Sequence, residues 1–246
     1  MHESKNEVYQ QDVGVLKRYR DDYYKITLHR FLRRAGYEAV DGETEKGKKN
    51  TADNTDKLDA SLSRTRAKIF ELAMSNDWEW FVTLTLNPEQ HDRQDLSVFK
   101  KTLSVWIKNY NRLHRTEIKY LLIPELHSDG KSWHMHGLIM GLPETHLREF
   151  EDNETLPLAI LIEIKQGNKV YDWPAYRDKF GYITTTKIRN AESVSKYITK
   201  YITKDLSKTS IELNHHLYYC SKGLKRAEKL HQGKMTRNFD EDFGNE

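Results

Sequence analysis

The sequence predicts an α+β domain, a central antiparallel β-sheet flanked by helices. Two observations lead there. Segments with strand-like alternation and segments with helical periodicity follow one another in the order β-α-β-β-(α)-β-β-α, and that mixture favours helices packed on an antiparallel sheet. Near the middle, "EIKYLLIPEL" and "SWHMHGLIM" are joined by "SDGK", an Asp-Gly turn between two apolar runs, which is a strong short-range hairpin signal.

Taken in order, residues 1–36 have amphipathic helical character. Residues 41–60, "DGETEKGKKNTADNTDKLDA", hold Leu58 as their one large apolar residue and read as a polar linker. Helical periodicity resumes over 61–76, with Ile69, Leu72 and Ala73 on one side. "EWFVTLTLN" (79–87) is a strand rich in β-branched residues, stopped at Asn87-Pro88. Residues 95–115 form a helix whose apolar stripe includes Phe99, Leu103, Trp106, Ile107 and Tyr110. The hairpin follows, then a short acidic helix within 143–154. Residues 158–174 read as a strand, a Gly-Asn turn and a short partner strand. Residues 180–188 read as another strand, and 190–206 as a helix with Asn190 as its N-cap. The expected organisation is a basic helical arm and polar linker over 1–60, the main domain over 61–208 and a basic C-terminal extension over 209–246. No solenoid or propeller repeat is present.

Composition narrows the function classes. The 246 residues contain no apolar run of the ~18 residues a membrane span needs, and the polar N-terminus lacks a signal-peptide core. One cysteine, Cys220, leaves no internal disulfide and no cysteine-rich zinc module, as suits a reducing cytoplasm. Net charge is +3, but basic blocks at 16–34, 187–208 and 221–237 are interleaved with aromatics. That pattern suits a polyanion whose unpaired bases can stack.

The hairpin carries the first chemical candidates. If Asp129-Gly130 is the turn centre, the numbers of opposed residues sum to 259. Glu125 then faces His134, and Ile123 faces His136. Alternation puts Glu125, His134 and His136 on one face, with Trp133, Met135 and Gly137 on the other. Two imidazoles and a carboxylate at that spacing suit a divalent cation with open positions for substrate oxygens. His127 shares this face but lies near the turn, while His91, His215 and His216 read as surface histidines. The second candidate is "KYITKYITK" (196–204). Val194, Ile198, Ile202 and Leu206 form one stripe of this helix. Tyr197, Lys200, Tyr201, Lys204 and Lys208 form another, which a dry core would not tolerate. The two phenols therefore face a wet, positively charged groove, where neighbouring lysines favour phenolate.

"FVTLTLN", "HMH" (134–136) and "YITKYITK", in that order, resemble the three motifs of rolling-circle replication initiators of the HUH endonuclease superfamily, in the two-tyrosine type of phages, prophages and small plasmids. "NDWEWFVTLTL", "LIPELHSDG" and "YYCSKGLK" resemble the phage and Gram-positive branch. The likeness covers about residues 61–230. It implies the palm-like HUH fold, similar to that of RRM domains. It also implies a nicking and joining enzyme for single-stranded or supercoiled origin DNA, with Mg²⁺ or Mn²⁺ held by Glu125, His134 and His136. Tyr197 and Tyr201 would be the nucleophiles, forming a 5′-phosphotyrosine. Lys200 and Lys204 would stabilise charge, and Lys187, Arg189, Lys196 and Lys208 would contact DNA. A host helicase and polymerase would act with it in a bacterial cytoplasm. A two-tyrosine transposase or relaxase, a non-catalytic DNA-binding repressor and a hydrolase using activated water are the other readings. "DGKS" (129–132) is no phosphate-binding loop, because Glu125 stands where its first glycine belongs.

Overall fold

The computed structural model describes residues 9–20, 23–33, 55–127, 129–204 and 217–235. The chain divides into two compact units, one spanning Asn50–Lys225 and the other made of Met1–Lys49 with Arg226–Glu246. Among the described residues no helix is long and apolar enough to cross a membrane.

In the larger unit, β3 (Trp80–Thr85), β4 (Lys119–Leu126), β5 (Trp133–Met140), β6 (Arg148–Glu149), β7 (Val170–Asp172), β8 (Ile183–Lys187) and β9 (Tyr219–Cys220) form a seven-stranded sheet. Its order is β6-β7-β8-β3-β5-β4-β9, and each strand pairing is antiparallel. The helices are α1 (Thr55–Ser75), α2 (Leu96–His114), α3 (Leu158–Lys165), α4 (Pro174–Phe180) and α5 (Ala191–Lys204). This is the α+β architecture that the sequence predicts.

Each face of the sheet has its own core. On one, Trp80, Val82, Leu84, Leu122, Met135 and Ile139 pack against Phe99, Leu103 and Ile107 of α2 and against Tyr176 and Phe180 of α4. On the other, Leu121, Ile123 and Leu138 pack against Ile69 and Leu72 of α1 and Ile198 of α5. β5 thus feeds both cores through strict alternation, as a central strand must. Gly137 is needed there because a Cβ would approach the Leu121 carbonyl oxygen at 2.6 Å and collide with the Leu122 side chain. Residues beyond the expected boundary at 208 complete this unit. β9 adds to the β4 edge, and the Asn76 side chain accepts from the Lys225 N–H (2.8 Å) while donating to the Lys225 carbonyl (3.1 Å).

Four local expectations change. The helical arm over residues 1–36 is not a helix where it is described. β1 (Tyr9–Arg18) and β2 (Tyr24–Arg33) are strands, and β1 also pairs with β10 (Glu228–Lys234) in a three-stranded sheet of order β10-β1-β2. Tertiary pairing with a strand some two hundred residues away overrides the weak local helical pattern. The end of the expected linker, from Thr55, is the first part of α1, while 34–54 lie outside the described residues. Residues 158–165 form α3 rather than a strand; the Pro157 carbonyl accepts from Ile160 (2.9 Å) and Leu161 (3.2 Å) and opens the helix. A short apolar run cannot be assigned to helix or strand by periodicity alone. Within 143–154 the expected acidic helix shrinks to a 3₁₀ turn at Glu144–His146, followed by β6.

Candidate active site

The β4–β5 hairpin has the predicted register. Glu125 pairs with His134 and Ile123 with His136. The turn is held by His127 N–H donating to the Ser132 carbonyl (2.7 Å), with Gly130 at φ +68 in the left-handed region that glycine tolerates. Backbone N–H groups of Ser132 and Lys131 donate to Asp129 and hold its carboxyl far below the usual range.

Since Leu121, Ile123 and Leu138 face α1 and α5, alternation puts Glu125, His134 and His136 on that same face. The carboxylate is central. Glu125 Oε2 lies 3.0 Å from His134 Nε2 and 2.5 Å from His136 Nε2. One donor atom from each residue lies within 4.8 Å of the other two, and all three side chains are mostly shielded from solvent. Two imidazole nitrogens and a carboxylate oxygen converging at such distances fit a divalent cation. His127, whose ring is 5.5 Å from that of His134, is not in the cluster.

The neighbouring strand supplies residues that the sequence reading did not single out. β3 pairs with β5 so that Thr83 opposes His136 and Thr85 opposes His134. The Thr83 hydroxyl is 3.0 Å from His136 Nδ1. With Nδ1–H donating to that oxygen, the Nε2 lone pair is left for a metal, which is how a second partner fixes a ligating tautomer. Phe81, two residues back on the same face, stacks on the His136 ring (6.1 Å, 19°) and meets the Tyr197 ring edge-on (5.5 Å, 61°). The alternation of "FVTLTL" carried the signal, with Phe81, Thr83 and Thr85 opposite Val82 and Leu84, but only the β3–β5 register says which set looks at the histidines. Thr83→Val is expected to weaken Mn²⁺ binding by about tenfold, and Thr83→Ser to restore it, as read by Mn²⁺ titration followed by electron paramagnetic resonance. Unchanged affinity in the valine variant would remove this role.

α5 begins as predicted, with the Asn190 side chain accepting from Ser193 N–H at 2.8 Å. Ile198 is fully buried and Val194 partly so, while Tyr197 is 48 % exposed. The apolar stripe therefore faces the sheet and Tyr197 the outside. Lys200, Tyr201 and Lys204 belong to the helix, but their side chains are outside the described set, as is the whole of Lys208. Of the proposed DNA contacts, Lys187 pairs with Glu144 (3.2 Å) and Lys196 with Glu192 (2.8 Å). The hydrogen bonds from Lys187 and Tyr171 hold the Glu144 carboxyl below its ordinary range. Arg189 is exposed and has no ion-pair partner among the described residues. His91, expected at the surface, bonds the Lys179 carbonyl (2.9 Å) beside Phe180.

The family of replication-associated proteins of the ORF2 type matches residues 79–206, just over half of the chain. The chain belongs to that family. No curated protein and no solved structure matches it. Membership of the ORF2 family makes it a replication-associated protein, consistent with a rolling-circle initiator of the HUH type acting on origin DNA. The span matched to the ORF2 family runs from β3 through the Glu-His-His hairpin to the end of α5 and takes in every element of the site just described.

Proposed function

We propose that this chain initiates rolling-circle replication by nicking and rejoining single-stranded DNA at its origin through a 5′-phosphotyrosine intermediate. The observation that carries this reading is the continuity Glu125–His136–Phe81–Tyr197. A metal-competent cluster on the sheet and an exposed phenol on α5 lie on one face, separated by a single ring. The three donors fit Mg²⁺ or Mn²⁺, which when bound supplies Lewis-acid polarisation of the scissile phosphate. Thr83 holds the His136 ring in the ligating tautomer. The phenolic oxygen of Tyr197 attacks phosphorus, so an O–P bond forms and the bond from phosphorus to the 3′ oxygen breaks. The phenolic proton passes to solvent, and the departing 3′ oxygen takes up a proton to become a free 3′-OH.

That hydroxyl primes synthesis by a host polymerase, with a host helicase separating the strands in the bacterial cytoplasm. Tyr201, one helical turn further on, is the other nucleophile; either phenol can make the first cut, and its neighbour cuts when the origin is regenerated. Attack of a 3′-OH on the phosphotyrosine reseals the strand without ATP, because the phosphodiester energy is kept in the covalent bond. Lys200 and Lys204 neutralise phosphate or phenolate charge, while Lys187, Arg189, Lys196 and Lys208 steady the DNA backbone. The test is incubation with supercoiled plasmid carrying the origin, plus Mn²⁺, followed by mass spectrometry of the peptide left on the DNA. Nicked circles with residues 191–204 attached to a 5′ end are expected. A band shift without nicking, or nicking without an adduct, would refute the proposal.

A further inference from the structure

Beside Tyr197 the sheet and α5 enclose an open cleft of about 880 Å³, within the size range of small-molecule sites. It is separate from the Glu-His-His cluster, none of whose residues lines it. Phe81 and Tyr197 supply aromatic surface, the buried Tyr171 backs the wall, and Lys169, Lys187 and Arg189 supply cations. Rings interleaved with cations in a groove are the features by which proteins hold unpaired nucleic acid: bases stack, and the backbone is neutralised.

The cations are not equivalent. Lys169 is engaged by Glu149 at 2.8 Å and Lys187 by Glu144 at 3.2 Å. Glu163 also lines the cleft. The Glu149 and Glu144 carboxylates offset the charge of Lys169 and Lys187. Arg189, just before α5, is the lining cation without an ion-pair partner among the described residues. Asn190 to Tyr197 spans seven residues of helical rise, about 10 Å, so a strand attached at Tyr197 reaches Arg189 along the cleft.

We infer that this cleft is a subsite for the single-stranded nucleotides adjoining the scissile phosphate on one side, with a base against the Phe81–Tyr197 surface and a backbone phosphate on Arg189. The inference rests on the reading of Tyr197 as a nucleophile, but its occupancy can be measured without cleavage. The full-length protein, in EDTA, is irradiated with an oligothymidine in which one base is 5-iodouracil, and the crosslinked peptide is mapped. In parallel, binding of the same oligonucleotide to wild type and Arg189→Ala is followed by fluorescence anisotropy across a salt series. Crosslinks on the peptides that hold Phe81, Tyr171 or Tyr197 are expected. Loss of one phosphate contact should lower the slope of log K against log salt by about 0.7 and weaken binding by about three- to tenfold at low salt. Crosslinks only to peptides outside the cleft, or wild-type affinity and slope in Arg189→Ala, would overturn the subsite. A covalent adduct at Tyr197 with no cleft crosslink would sink this inference alone. Cleft crosslinks in a protein that never forms an adduct would sink the proposed chemistry alone.

Discussion

Replacing His134 and His136 together with alanine will abolish cleavage of origin DNA while much of the DNA binding survives. Both imidazoles sit within 3.0 Å of Glu125, so the double substitution removes two of three donors and leaves one carboxylate. A single carboxylate is a poor site for a divalent cation at physiological concentrations. Lewis-acid stabilisation is worth several kcal/mol, so cleavage should fall by about a thousandfold or more at 1.36 kcal/mol per decade. Of the proposed backbone contacts, Lys187 ends β8, Arg189 follows it and Lys196 lies on α5, none of them on the strand that carries the truncated rings, and DNA affinity should fall little. Fold integrity is checked by thermal melting, since both positions lie in a central strand. A folded double variant that still cleaves at the wild-type rate would remove the metal assignment. Chelation of the wild-type protein should give the same loss, reversed by Mn²⁺.

The hairpin is legible in the sequence because everything that sets it is local. Asp129-Gly130 dictates the turn, the turn dictates the register, and alternation dictates the shared face of Glu125, His134 and His136. The outward aspect of Tyr197 is legible for the same reason: helical periodicity fixes which side of α5 carries Ile198 and which carries the phenol. What sequence alone cannot supply is long-range pairing. Thr83 and Phe81 acquire their roles only when β3 pairs with β5, a register set by packing on both faces of the sheet rather than by any turn. β1 and β2 read as helix because their sheet is completed by β10 from the far end of the chain. α3 reads as a strand because "LAILIEIK" is too short and too uniformly apolar for either periodicity to show.

The tyrosines give the sharper test of chemistry, because phenylalanine removes one oxygen and keeps the ring. Tyr197 is half-exposed, and its described ring contact is edge-on to Phe81, an interaction phenylalanine preserves. Tyr197→Phe should therefore keep this ring contact and leave DNA binding near wild type, with the fold checked by thermal melting. Tyr201→Phe is expected to behave alike. Each single variant should retain partial nicking through the remaining phenol, while the double variant should make no adduct and no nick. The pattern separates three mechanisms. A hydrolase that activates water would keep cutting in the double variant and never trap protein on DNA. A single obligatory nucleophile would lose all nicking in one single variant and none in the other. Two interchangeable phenols one turn apart predict additive partial losses that become total only together. Undiminished nicking by the double variant would dispose of covalent catalysis from α5, whatever the fate of the metal site.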